Sequence, residues 1–405
     1  MVGPRVWTRF GLLAVSLAGG LAIAFSWDRR ADPDEVYESA LGALEAGRFA
    51  TAEAALGRLA RLRTPTVLDR GVRARLDIGR GRLDEAVAGL ATIPDDHPLA
   101  SWARLRVGQI ERGRNHLRAA EAALRRSMKL DPGRIEARRE LIYILGLQLR
   151  RRELGVEFDA LAARSTLTAK EVWVWCMLHD LAWWTPAELA TVLRPALDAD
   201  PDDRWSRLAL AESERRQGHL DAAEALLVPL PPDDPDARAA RAEIALERHG
   251  PESAEALLAE GPENHPGLAS LRGRLALARR DGPAAVRYFE RALSADPHRR
   301  RSLADLGLAW QLAGEPQKAR PLLEAAARID VLSNLLLKAE AQVDQPDPEL
   351  WRRLGTACED AGLLPEARAW YTLVTTRDPL DPGAQHALYR LRSTHESASP
   401  PKGIF

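Results

Sequence analysis

A proline preceded by an acid or a histidine returns along this chain at a near-constant interval, and that interval limits what the chain can fold into. The pairs are His97-Pro98, Asp131-Pro132, Asp200-Pro201, Asp234-Pro235, Asp296-Pro297 and Asp378-Pro379. Pro98 and Pro132 are 34 residues apart, as are Pro201 and Pro235, while Pro132 and Pro201 are separated by two such steps plus one. Between the marks recur a small residue, a turn glycine, an alanine and a large apolar residue. A fixed period of this size signals a repeat architecture, in which each unit is a helical pair that cannot bury its apolar stripe alone. No segment alternates with the period of two that a half-buried strand requires. The predicted fold is therefore all-α, an α-solenoid of antiparallel helix hairpins, with no room for a mixed α/β catalytic domain.

Segment 348–381 carries the pattern most fully, through Trp351, Leu354, Gly355, Gly362, Ala367, Tyr371 and Pro379. It resembles the tetratricopeptide repeat (TPR), in which Trp, Leu, Gly, Tyr, Gly, Ala, Phe, Ala and Pro recur at fixed places in about 34 residues. Segment 300–333 matches through Leu303, Leu306, Gly307, Gly314, Ala319, Leu323 and Ala326, with Val331 in place of proline. Segment 101–134 adds Gly108, Leu117, Ala120, Leu124, Ser127 and Pro132. The frame divides the chain into 33–66, 67–100, 101–134, 135–169, 170–203, 204–237, 238–265, 266–299, 300–333 and 348–381. An insertion spans 334–347, a capping helix 382–393 and a loose tail 394–405. Small residues are required where the two helices of a hairpin cross, which sets Gly108 against the Ala120 region, Gly307 against Ala319 and Gly355 against Ala367. Glycine opens the turn at Gly47, Gly81, Gly218, Gly314 and Gly362, because it tolerates positive φ.

Repeats 135–169 and 170–203 break these rules. Their crossing places hold Ile142 with Leu154 and Met177 with Leu189, and their turn places hold Leu149 and Trp184. Larger residues push paired helices apart or tilt them. Trp173, Trp175, Trp183 and Trp184 crowd the same region, and Thr185-Pro186-Ala187-Glu188 restarts a helix with a cap, an N1 proline and an N3 acid. Two readings stand: an aromatic pocket centred on Trp175, or tryptophans filling the gap between splayed helices. Cys176 and Cys358 have no ligand-spaced neighbour, so no zinc site is indicated. They read as buried free thiols unless the fold brings them together.

The short basic N-terminus, 1–9, holds Arg5 and Arg9, and the stretch 10–27 is uncharged. Trp7 and Trp27 are twenty residues apart, about 30 Å of helix and the thickness of a bilayer's hydrocarbon. This reads as a transmembrane anchor with interfacial tryptophans, leaving the body extracytoplasmic. The alternative is a signal peptide, since Ala22-Ile23-Ala24 resembles a processing site, and the body would then be secreted or periplasmic.

A net charge of -1 disfavours a dedicated nucleic-acid binder. The charge is nonetheless uneven, with an Arg-rich run over 104–152 and an acidic run over 221–263. Such runs are either solvated helix faces or the two ends of a bipolar groove. The resemblance implies that ligands lie along a concave wall of first helices. Carried over, that wall includes Trp102, Leu105, Gln109, Arg112, Arg139 and Tyr143. Relatives that clamp chaperone carboxylates use Lys and Asn where this chain has Tyr37, Leu41, Gly71, Val72 and Leu105, so that clamp is absent.

Phosphate-loop, dinucleotide, nucleophile-elbow, zincin and Cys-x-x-Cys motifs do not occur. His179-Asp180 sits among tryptophans and reads as packing. The chain is thus expected to be a non-catalytic scaffold or assembly factor for a protein or peptide partner, with no cofactor and no metal. The alternative is a non-catalytic or substrate-presenting subunit of an envelope enzyme complex.

Overall fold

The computed structural model describes residues 32–179, 184–342 and 345–398. The N-terminal segment 10–27, Trp183 and the end of the tail lie outside them. Every element among the described residues is a helix, 21 in all. They are α1 Pro33–Glu45, α2 Phe49–Leu62, α3 Val67–Gly79, α4 Leu83–Ala91, α5 Ala100–Gly113, α6 Leu117–Leu130 and α7 Ile135–Leu147. Next come α8 Arg151–Ala162, α9 Ala169–Met177, α10 Pro186–Ala199, α11 Arg204–Arg216, α12 Leu220–Leu227, α13 Pro235–His249 and α14 Pro251–Ala259. The last are α15 Pro266–Ala278, α16 Gly282–Ala295, α17 Arg300–Leu312, α18 Pro316–Ala339, α19 Pro348–Asp360, α20 Leu364–Arg377 and α21 Pro382–Ala398. Two compact units result, one reaching Gly113 together with Ala119–Ala137, the other comprising Arg114–Arg118 and everything from Arg138 on.

The hairpin turns repeat with the sequence. Positive φ falls at Gly47, Gly81, Asn115 and Leu149, each 34 residues after the last, and again at Gly218, Gly250, Arg280, Gly314 and Gly362. A left-handed residue lets the next N–H reach back to the carbonyl five residues earlier, as Arg48 does to Ala43, Arg82 to Asp77, Arg150 to Leu145 and Leu363 to Cys358, all at 2.8–3.0 Å. Leu149 therefore makes the same turn as the glycines, although the left-handed backbone costs a residue with a Cβ about 1–2 kcal/mol. The helix starts are capped from the sequence. Thr66 with Asp69, Thr168 with Glu171 and Thr185 with Glu188 form reciprocal boxes. The acid-proline marks serve two ends: Asp200, Asp296 and Asp378 close a helix, whereas Asp234-Pro235 is the N-cap and first residue of α13. At that mark the proline opens a helix rather than following one.

Close crossings occur at the small residues. A Cβ on Gly108 would lie 2.7 Å from Leu124 and 3.3 Å from the Ala120 carbonyl, and one on Gly307 would meet Leu323 and the Ala319 carbonyl in the same way. At Gly355 the space is taken by the Tyr371 ring instead of Ala367. Two boundaries differ from the frame: α18 continues into the inserted stretch as far as Ala339, and the final helix runs past 393 to Ala398.

One packing arrangement departs from a chain of nearest neighbours. Helix α9, early in the second unit, packs against α20 and α18. Trp173 is 1% exposed and donates its indole N–H to the Leu336 carbonyl at 3.0 Å. Trp370, fully buried, donates to Cys176 Sγ at 3.4 Å. Removing an aromatic side chain of this size from water contributes about 4–6 kcal/mol at about 25 cal/mol per Å². Beyond either reading of the tryptophans drawn from sequence, the cluster includes a seat for residues 163 and 194 positions downstream, which a purely sequential apolar spine does not contain.

Candidate functional site

The docked helix leaves a cavity of about 490 Å³ beside it, within the second unit. Val156, Trp175 and Leu178 supply apolar wall, and Arg151, Arg152 and Arg299 supply guanidinium groups. Asp159, His179, Asp296, His298 and Glu366 complete the polar lining. Four stretches of chain converge here: α8–α9, the first turns of α15 through Pro266 and Ser270, the loop between α16 and α17 with its flanking turns, and the start of α20. The convergence follows from docking, since the end of α9 must meet the turn that opens α20.

His179 is the hinge of the polar arrangement. Its Nε2 lies 2.8 Å from Glu366 Oε1, and its carbonyl accepts the backbone N–H of Arg300 at 3.3 Å. Its ring stands edge-on to His298, with centroids 5.8 Å apart. Loss of water, followed by the neighbouring His179, holds the His298 imidazole below its ordinary value. Loss of water and then the Glu366 charge push Asp159 upward. Arg151 donates to the Leu178 carbonyl at 2.6 Å, and no carboxylate among the described residues lies within ion-pair distance of it. Desolvation first, then the Arg299 charge, pulls it down to about 10. The wall thus offers apolar surface, a guanidinium without a carboxylate partner and an imidazole–carboxylate pair. Among the described residues no group of three or more potential ligands is arranged to hold a metal ion.

Of the residues singled out from sequence, Trp175 borders this cavity, 3% exposed and stacked on Phe158 with centroids 5.8 Å apart. It is a wall, backed by another ring. Arg139 is exposed and donates to Glu171 at 2.6 Å, and Tyr143 meets the edge of Trp184 at 6.4 Å; neither lines the cavity. In the first unit, Trp102 is half-buried beneath the Arg106 guanidinium, which donates to Gln109 at 2.8 Å. Arg112 is half-buried in the last turn of α5. Leu105 is 5% exposed and packs inward. The charged runs are largely neutralised: Arg104 and Arg126 pair with Asp95, Arg118 with Asp200, and Arg138 with Glu157. In the acidic run Asp221 and Glu224 pair with Arg248, Asp234 and Asp236 with Arg204, and Glu247 with Arg215. This favours paired, solvated helix faces over two bare ends of a groove.

Arg151 stands in the Arg-rich run with nothing there to mark it as a cavity residue, and His298, Arg299 and Glu366 escaped the sequence reading because each occupies an unremarkable place in its own repeat. His179 carried a signal as an atypical residue amid tryptophans, although it reads there as packing.

Among the described residues no helix is long and apolar enough to cross a membrane. No curated protein matches the sequence. Solved structures similar to the chain include a tetratricopeptide repeat protein from Parabacteroides merdae, 17% identical over 60% of this chain and 98% of that one, with a TM-score of 0.32. The human IFIT1 dimer with PPP-AAAA is 15% identical over 92% of this chain and 88% of that one, TM-score 0.33. The C-terminal part of a TPR repeat-containing protein from Cytophaga hutchinsonii is 13% identical over 67% and 99%, TM-score 0.31. Likeness of this degree constrains neither shape nor ligand here. Tetratricopeptide repeat family models match residues 190–246, and then 270–330 and 334–382, where the helix pairs and their left-handed turns stand. The chain therefore carries tetratricopeptide repeats in those three stretches.

Proposed function

We propose that this chain is a non-catalytic interaction scaffold, tethered to a membrane through residues 10–27 with its body extracytoplasmic, that holds a partner polypeptide. The observation that carries the reading is the cavity beside α9. Its apolar wall and its unpaired guanidinium suit a short peptide segment that couples an apolar side chain with a carboxylate. Such a carboxylate would give Arg151 a direct ion-pair partner, nearer than the Asp296 and Glu212 charges that act on it from a distance, and charge-assisted hydrogen bonds of this kind are the stronger ones. The His179–Glu366 pair ties α9 to α20, which supports a structural role over acid–base catalysis. The exposed faces around Trp102, Gln109, Arg112, Arg139 and Tyr143 are secondary contact surfaces in this proposal.

The test is site-specific photo-crosslinking of the full chain in its own membranes. Val156 is 60% exposed and lines the cavity, while Val228 is 74% exposed and does not. A crosslinker at position 156 is expected to capture a polypeptide, and Arg299→Glu to abolish that adduct. Adducts formed equally at 228, or only there, would sink the assignment.

A further inference from the structure

Cys176 and Cys358 are 182 positions apart in the chain, yet their sulfurs lie 3.5 Å from each other. Cys176 sits near the end of α9 and Cys358 near the end of α19, and they are 2% and 0% exposed. Bond formation needs an approach of about 1.5 Å, to the ~2.05 Å of a disulfide, within reach of small side-chain rotations. We propose that these two residues are a covalent modification site: they form an intramolecular disulfide that ties α9 to α19 and holds the docked arrangement closed.

The position is the one where such a bond matters most. Docking α9 closes a long stretch of chain, and a cross-link constrains the unfolded ensemble more as the closed loop lengthens. Elsewhere in the second unit, successive hairpins stack on their neighbours over short separations. At the seam, the tie adds to the Trp173–Leu336 and His179–Glu366 contacts.

Burial dictates the order of events. The thiol of Cys358 is pushed well above its ordinary value, chiefly by burial, so it is a poor nucleophile once docked. Exchange therefore precedes docking. One cysteine, as thiolate, attacks a disulfide oxidant R–S–S–R and forms a mixed disulfide, releasing one R–S⁻. The second cysteine, also as thiolate, attacks the cysteine sulfur of that mixed disulfide and releases the second R–S⁻. The protein gives up two protons and two electrons; the oxidant's sulfur–sulfur bond takes up both electrons and leaves as two thiols.

The full chain is reduced and unfolded, then refolded into detergent in the presence of oxidised glutathione so that exchange can precede docking, and is denatured, alkylated and mapped without reduction. The expected result is no alkylation at either cysteine and one linked peptide containing both. Reduction in denaturant should then allow two alkyl groups. The Cys358→Ser chain should give no linked peptide, and the wild-type map stands even if that variant does not fold. Two alkyl groups or glutathiones on the oxidised wild-type chain, or a link between two chains, would overturn the assignment. The oxidised chain should also melt roughly 5 °C or more above the reduced one. Equal melting would remove the proposed clamping of α9.

Discussion

At the scale of single residues, two positions make the packing argument quantitative. A Cβ on Gly282 would stand 2.6 Å from the Ala313 nitrogen and 2.8 Å from the Leu312 carbonyl carbon. Those atoms are backbone and cannot rotate away, whereas the Leu124 side chain facing Gly108 can. Gly282→Ala should therefore cost about 3 kcal/mol and Gly108→Ala about 1–2 kcal/mol, measured by denaturant unfolding. Equal costs would show that backbone and side-chain neighbours yield alike. His298 gives a pH dependence with a definite sign. Its folded-state value lies below the unfolded one, so the unfolded chain binds more protons as acidity rises. Stability from this residue is full above about pH 6.5 and is lost as pH falls from there through the depressed folded value. His179, Glu366 and Asp296 share its field. Melting temperature should drop between pH 7 and pH 5, and His298→Asn should flatten part of that slope; an unchanged slope would mean that His298 is not its source.

At the scale of helices, the hairpins were legible and their docking was not. Period and turn glycine mark the helix pairs, and the turn place at Leu149 could be located because it depends on residues within one repeat, although no glycine announces its left-handed backbone. The seat of α9 depends on Trp173 meeting Leu336 and on Cys176 meeting Trp370, pairs separated by 163 and 194 positions. No spacing rule inside a repeat records such a pair, and Trp370 occupies an ordinary apolar place in its own helix. What the sequence did carry was a disturbance: bulky residues at the crossing and turn places of 135–203 marked where the order would change, without saying what would lie against them. The docking contact can be tested at Trp173. Trp173→Ala should destabilise by about 4 kcal/mol. It should also raise amide exchange in α9 and α18 together, leaving α12 and α13 unaltered. Exchange that rises only in α8 to α10 would mean that the distant contact contributes nothing.

At the scale of the molecule, the second unit is expected to lose the piecewise stability of a repeat array. In a linear array, removing terminal repeats leaves a distant repeat intact. Here, ending the chain after residue 347 removes α19, α20 and α21 and should uncover Cys176 for alkylation in native buffer within minutes. A thiol that stays protected in the shortened chain would contradict this. A linear stack of hairpins can gain or lose one by duplication or deletion, because each new piece finds the same kind of neighbour. Between α9 and its partners α18 and α20, that freedom is gone. An extra hairpin there would rotate and displace the far bank of the seam by a whole repeat, so that Trp173 and Trp370 no longer faced their partners. The number of hairpins in this stretch is thus set as the staves of a cask are: any count but one leaves a gap.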